Sequence, residues 1–243
     1  MDRSIADQTT DELGGPQSVL ARQRRDHVEL DRLLQRCRST TGAEQQQALR
    51  KTWQLVFPHA FAEESVLWPA LRKAAADGEG LTLRVEEEHQ EINQLVTEIE
   101  RMQPGDPGWD ELLERTFALL DRDVRDEEDL LLPVLQRSLD APALRRLGRT
   151  WELVRRTAPT RPHPVVSRRP PGNVAAALPL TLVDRSRDAL DRAALGGQGA
   201  VATGSRLASR GLAALAGAIE RLPPVRRGED PRTSVGDAPG ASS

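Results

Sequence analysis

Two thirteen-residue segments place a potential metal ligand four residues before a glutamate, and each continues with a second acid and a proline. His59-Ala-Phe-Ala-Glu63-Glu64-Ser-Val-Leu67-Trp-Pro69-Ala-Leu71 is matched by Asp123-Val-Arg-Asp-Glu127-Glu128-Asp-Leu-Leu131-Leu-Pro133-Val-Leu135. On a helix an i, i+4 spacing stacks both side chains on one face, which is how a single helix offers two ligands to one cation. Each segment follows an acid-histidine motif, Asp26-His27-Val-Glu29-Leu30 in the first case and Glu88-His89-Gln-Glu91-Ile92 in the second. One helix pair is therefore written twice in the first 140 residues.

The faces on which these residues fall give the pattern its meaning. His27 shares a helical side with Leu20, Leu30 and Leu34, and His89 with Val85, Ile92 and Val96. His59 lies with Leu55, Ala62 and Val66, Asp123 with Leu119, Leu120 and Leu130, and Glu63 and Glu127 with the leucines that follow them. Three imidazoles and three carboxylates thus face apolar seams that carry no Lys or Arg. An unpaired buried carboxylate is strongly unfavourable, so a convergent set of this kind calls for a cation. A lone inward histidine or a single H-x-x-x-E would carry little weight, because core histidines and chance spacings are common; the repeated register is what carries the metal reading. Glu29, Glu64, Glu91 and Glu128 fall off the shared face and are expected to be solvated. At most they serve as outer partners of the ligands, with Glu29 and Glu91 as the candidates. Asp126, one turn from Asp123, is the alternative ligand at that end.

Over roughly residues 18 to 140 the chain resembles the hemerythrin-like family, the HHE cation-binding domain, whose pattern is His, H-x-x-x-E, His and H-x-x-x-E on four successive helices with L-x-P-x-L endings. The resemblance implies an all-α, up-down-up-down antiparallel four-helix bundle holding a non-haem iron centre, probably di-iron in nuclearity by analogy with the family. His27, His59, His89 and Asp123 would then be terminal ligands, and Glu63 and Glu127 would bridge. Asp123 departs from the family, which has histidine at that position. A shorter, anionic oxygen ligand can still hold iron or manganese but changes geometry and potential. It moves the set away from reversible dioxygen carriage and toward the carboxylate-rich di-iron bundles that activate oxygen or peroxide, or handle iron.

Helix boundaries follow from breakers and periodicity. Helices are expected over about Ser18 to Cys37, Ala43 to Ala76, Leu81 to Met102 and Trp109 to Ser138, with a further short one from Ala143 to Thr157. Pro58 and Pro69 are expected to kink the second or end its regular part. With 38% hydrophobic and 29% charged residues in 243, the chain can bury one domain-sized core but is too polar to be ordered throughout. Residues 1 to 17 are expected to be disordered, 18 to 157 to form the bundle with its extra helix, and 158 to 243 to form a largely irregular tail. No apolar run approaches the length of a spanning helix and no secretory signal is evident, so the expected location is the cytoplasm. Cys37, the single cysteine, is expected to be a small buried apolar residue.

Charge divides the chain. Residues 1 to 154 carry a net charge of −10, whereas residues 155 to 243 carry +7 with 14 arginines. The tail opens with Pro159, Pro162 and Pro164 around His163, which reads as an extended linker with a solvent-exposed histidine. His163 folding back to replace the imidazole missing at Asp123 is the less favoured alternative. Marginal helices are expected over Leu182 to Leu195 and Ser205 to Leu222, the second broken by Gly211 and Gly217. Its apolar stripe, flanked by Arg206, Arg210 and Arg221, could dock on the bundle, another copy or an anionic membrane surface. With 3% aromatics and no base-reading motif, nucleic acid is not an expected partner. Gly228 to Ser243 reads as disordered. The expected function is binding or sensing of dioxygen, peroxide, nitric oxide or iron at the metal centre, with a peroxide-consuming di-iron enzyme and a metal-free interaction scaffold as the alternatives.

Overall fold

In the computed structural model, residues 3–196 and 199–234 are described, and the chain is all-α. It divides into two compact units between Pro162 and His163. In the first, helix α1 (Val19–Ser39) is followed by α2 (Gly42–Ala62), a π-helical turn (Glu63–Leu67) and α3 (Trp68–Ala74); α4 (Gly78–Ile99) is followed by α5 (Trp109–Asp126), a second π-helical turn (Glu127–Leu131) and α6 (Leu132–Ser138). Helix α7 (Ala141–Arg156) completes the unit. Ser18 caps α1 by accepting from the Leu20 N–H, and Asp140 caps α7 by accepting from the Ala143 N–H. Gly108, at φ 85°, turns the chain into α5 where a side chain would be strained.

The two π turns are the local feature that the expected uninterrupted helices lacked. In an unbroken α-helix the rings of Pro69 and Pro133 would press on the carbonyls of Ser65 and Asp129 and leave them without a donor. The chain instead widens by one residue just before each proline. Trp68 donates its backbone N–H to Glu63, and Leu132 donates to Glu127, both five residues back. Pro58, by contrast, sits inside α2, which continues past it to Ala62.

Helix α1 packs on α2 and α4 on α5, and α7 lies against both α1 and α2. Two apolar clusters fill the bundle. One contains Leu30, Leu34, Val56, Phe57, Ile92, Phe117 and Leu120; the other contains Leu20, Ala62, Leu67, Trp68, Val85, Leu131 and Trp151. On every long helix the expected ligand falls between a residue of one cluster and a residue of the other. The site therefore forms a polar layer across the middle of an apolar core. Cys37 is buried beside Thr52, and burial pushes its thiol up, as suits a packing residue.

The segment before α1 corrects the expectation of disorder. Ile5 and Leu13 are fully buried in the second cluster, and the Ser4 hydroxyl donates to the Glu128 carbonyl at 3.3 Å. Two apolar anchors hold a segment whose overall composition is polar.

The second unit contains α8 (Gly172–Gly196) and α9 (Ala200–Glu220), which pack along each other through Ala176, Leu180, Val183 and Ala216. Both start before the expected limits, α8 with Pro179 inside it, and α9 runs unbroken through Gly211 and Gly217 to end at Glu220. His163 is not an exposed linker residue. It is 5% exposed, with Nε2 at 3.0 Å from Asp184 and Nδ1 at 2.8 Å from Glu220. The carboxylates of buried Asp184 and half-buried Glu220 fix where its ring goes. Leu207 and Leu215 remain exposed on α9, as does Leu222 just beyond it. Of the stretch expected to be disordered at the end, Ser234 is the last described residue, and 235 to 243 lie outside the described residues.

Candidate metal centre

Helices α1, α2, α4 and α5 each deliver one residue of the polar layer, and the two π turns deliver Glu63 and Glu127. The i, i+4 geometry of α2 sets His59 Nε2 3.1 Å from Glu63 Oε1. From α1, His27 Nε2 lies 3.2 Å from Glu127 Oε2, and the two imidazole rings stand 5.2 Å apart. On the other side, His89 Nε2 is 3.6 Å from Asp123 Oδ1 and 3.7 Å from both Glu63 Oε2 and Glu127 Oε1. Each glutamate therefore turns one oxygen toward a histidine of the first side, Glu63 toward His59 and Glu127 toward His27, and its other oxygen toward His89. The donor atoms form two groups, His27–His59–Glu63–Glu127 and His89–Asp123–Glu127, each with its atoms within 4.8 Å of one another. All six expected residues meet here.

Whether a cation fits is decided by the polar atoms themselves. Both carboxylate oxygens of Glu63, His27 Nε2, Asp123 Oδ1 and Glu127 Oε1 are buried with no hydrogen-bond partner among the described residues. Native interiors rarely leave such atoms unsatisfied, and here they converge on one layer. The set mixes imidazole nitrogen with carboxylate oxygen, a donor set suited to iron or manganese. The residues present fit a bound cation.

The protonation pattern supports the same conclusion. Burial works against charge on His27, yet the facing carboxylates of Glu127 and Glu128 outweigh it and raise its pKa to about 9. His59 is likewise raised to about 10 against burial by Glu63 and Asp26, and His89 is raised well above its usual range against burial by Asp123, Glu127 and Glu64. Burial and the neighbouring charge of Glu127 push Glu63 up to about 7, and burial also raises Asp123. Burial opposes the charge on Glu127 too, but the facing imidazoles of His27 and His89 hold it at about 2. A cation at the centre would compete with the protons that these raised values favour on the imidazoles.

An outer layer orients the rings. Glu128 Oε1 lies 2.9 Å from His27 Nδ1, Glu64 Oε1 lies 3.0 Å from His89 Nδ1, and Asp26 Oδ2 lies 3.4 Å from His59 Nδ1. With each Nδ1 bound to a carboxylate, each Nε2 faces the centre. Glu64 and Glu128 are thus inside, contrary to the sequence expectation, because the π turns rotate the residue after each ligand glutamate inward. Glu29 and Glu91 are not outer partners; they pair at the surface with Arg32 and Arg115. Asp126 pairs with Arg84 at 2.5 Å instead of replacing Asp123. Asp26 stood beside His27 in the motif, yet its partner lies on another helix, which spacing alone does not reveal.

Against the centre lies a cavity of about 30 Å³, walled on its apolar side by Leu30, Val56, Phe57, Ile92, Leu120 and Val124. Such a volume admits one or two water-sized molecules. Residues 18–135 match the hemerythrin HHE cation-binding domain. They belong to the hemerythrin-like family. An uncharacterized hemerythrin-like protein of Schizosaccharomyces pombe is 23% identical over 141 residues, covering 58% of this chain and 69% of the yeast protein. No solved structure matches the chain. The hemerythrin-like domain is a cation-binding fold, and among the described residues no helix is long and apolar enough to cross a membrane.

Proposed function

We propose that the hemerythrin-like domain holds two iron ions, one on the His27–His59 side and one on the His89–Asp123 side, with Glu63 and Glu127 bridging them. The observation that carries this reading is the convergence of buried carboxylate oxygens and imidazole nitrogens that lack hydrogen-bond partners, with each glutamate facing both sides. A bound iron pair supplies a redox-active position for dioxygen, peroxide or nitric oxide. Glu64, Glu128 and Asp26 hold the Nδ1 protons, which presents the Nε2 lone pairs inward. The apolar wall of the cavity excludes bulk water and limits the ligand to a few heavy atoms. Asp123 places an anion where imidazole would be neutral, which favours the more oxidised metal and argues for sensing or consuming an oxidant over reversible carriage. Manganese suits the same oxygen-rich donors.

Peroxide consumption at the same residues is the second reading, favoured by the carboxylate at position 123. Peroxide turnover by the iron-loaded full chain, compared with Glu63→Ala, separates the two. Binding without turnover supports the sensor, and turnover abolished by the substitution supports the enzyme. The arginine-flanked apolar face of α9 is the surface by which we expect the second unit to dock on an anionic membrane. Co-sedimentation with phosphatidylglycerol vesicles but not phosphatidylcholine vesicles is the expected result.

A further inference from the structure

Of the three outer carboxylates, one is built differently from the others. Glu64 and Glu128 directly follow the ligand glutamates and come from the repeated motif itself. Asp26 comes from α1, reaches His59 on α2, and is met at 3.5 Å by Arg155 Nη1 of α7. Helix α7 lies beyond the matched family region, which ends at residue 135. It approaches closely because Gly148 faces the start of α1. A Cβ there would fall on the Gln17 carbonyl oxygen and lie 2.7 Å from the Val19 nitrogen. Trp151 then meets the His59 ring edge-on, with centroids 5.3 Å apart and planes at 85°. The Arg155 guanidinium covers the other part of that indole at 5.4 Å and also bonds Glu152 at 3.2 Å. Arg22 of α1 joins Glu152 at 2.9 Å, which ties the helix to the bundle at the level of the ligands.

We propose that Arg155 and Trp151 of α7 are positioning residues for the His27–His59 side of the metal centre, acting on His59 through Asp26. The proposal rests on the metal-centre reading above. Arg155 holds the Asp26 carboxylate in place and draws on its charge, so Asp26 accepts from His59 Nδ1 as a weakened base. Trp151 fixes the plane of the same ring by contact. Loss of the guanidinium leaves Asp26 only the guanidinium of the exposed Arg25, also 3.5 Å away, so the carboxylate is held less firmly and accepts more strongly. That weakens the hold on one ion and lowers the potential at that side.

The test uses the full chain with Fe(II) as the probe, reading iron stoichiometry, the affinity of each ion and the reduction potential. Arg155→Met keeps the aliphatic stem over Trp151 and is expected to weaken one of two ions about 10-fold and to lower one potential, leaving the other ion unchanged. Arg155→Lys should recover part of both. Arg156→Ala, which removes another partner of Glu152 without touching Asp26, should change neither. Two ions with parental affinities and potentials in Arg155→Met would overturn the positioning role while leaving the metal reading intact. Equal losses in Arg155→Met and Arg156→Ala would show that the helix matters only for docking, which also overturns it. A parental chain that takes up no iron overturns the metal reading, and this proposal with it.

Discussion

Replacing Glu63 by glutamine should stabilise the metal-free protein and, in the same molecule, remove its capacity for metal. Glu63 is fully buried, and burial together with the charge of Glu127 raises its pKa from 4.5 to about 7, net of the attraction of His59 and His89. Below pH 4.5 the group is protonated in folded and unfolded chains alike, so the substitution has no electrostatic effect there. Between 4.5 and 7 the unfolded chain ionises while the folded one keeps its proton, and the parent loses stability as pH rises. Above 7 the full cost is present. A displacement of this size corresponds to about 3 kcal/mol, or roughly 6–12 °C in melting temperature for a unit of this length. Thermal melts of chelated parent and Glu63→Gln at pH 4.5 and pH 8 should therefore coincide at the lower pH and separate at the higher, with the variant more stable. With iron supplied the order should reverse, because the variant has lost a bridging ligand. A chelated variant that melts at or below the parent at pH 8 would refute the claim that this carboxylate is held in place at a cost for a cation.

Asp123→His should retain two ions and raise the reduction potential of the iron on its side, since a neutral nitrogen stabilises the oxidised metal less than an anionic oxygen; spectroelectrochemistry against Asp123→Ala, which should lose that ion preferentially, checks this. Because His27, His59 and His89 all carry raised pKa values, iron uptake in weakly buffered solution near neutral pH should release about three protons per chain; a pH-stat trace showing none would contradict the protonated, metal-free state. In the second unit, burial opposes charge on His163 but Asp184 and Glu220 raise it to about 9, so its stabilisation is present below about pH 6.5 and is lost as pH rises through 9. His163→Gln at pH 7 should cost up to about 3 kcal/mol and speed tryptic cleavage at the arginines of α8 and α9; unchanged cleavage would show that the cluster does not hold the helices.

The ligand set was legible because helical periodicity and repetition are properties of the chain itself. His27, His59, Glu63, His89, Asp123 and Glu127 fall at positions that any continuous helix would turn inward. Glu64 and Glu128 escape a constant rotation per residue, which a π turn breaks once in each half. Pro69 and Pro133 were the available signal, since each marks where a regular helix must give way. Contacts made by long-range packing were out of reach. Asp26 finds His59 across a helix crossing, α7 reaches the centre because Gly148 lets it, and His163 is captured by residues 21 and 57 positions away. At the start of the chain, Ile5 and Leu13 were two apolar residues in a polar stretch, and only their burial separates an anchor from a loose end.

The central claim is a two-ion centre, and counting the ions tests it most directly. The full chain, reconstituted anaerobically with Fe(II) and freed of loose metal, should contain two iron atoms per chain by plasma mass spectrometry, with Mössbauer spectra resolving two sites of unequal ligand sets. Glu127→Ala, which removes the residue common to both donor groups, should bring the count close to zero. A folded parental chain that retains no iron, or a Glu127→Ala variant that keeps both ions, would contradict the account.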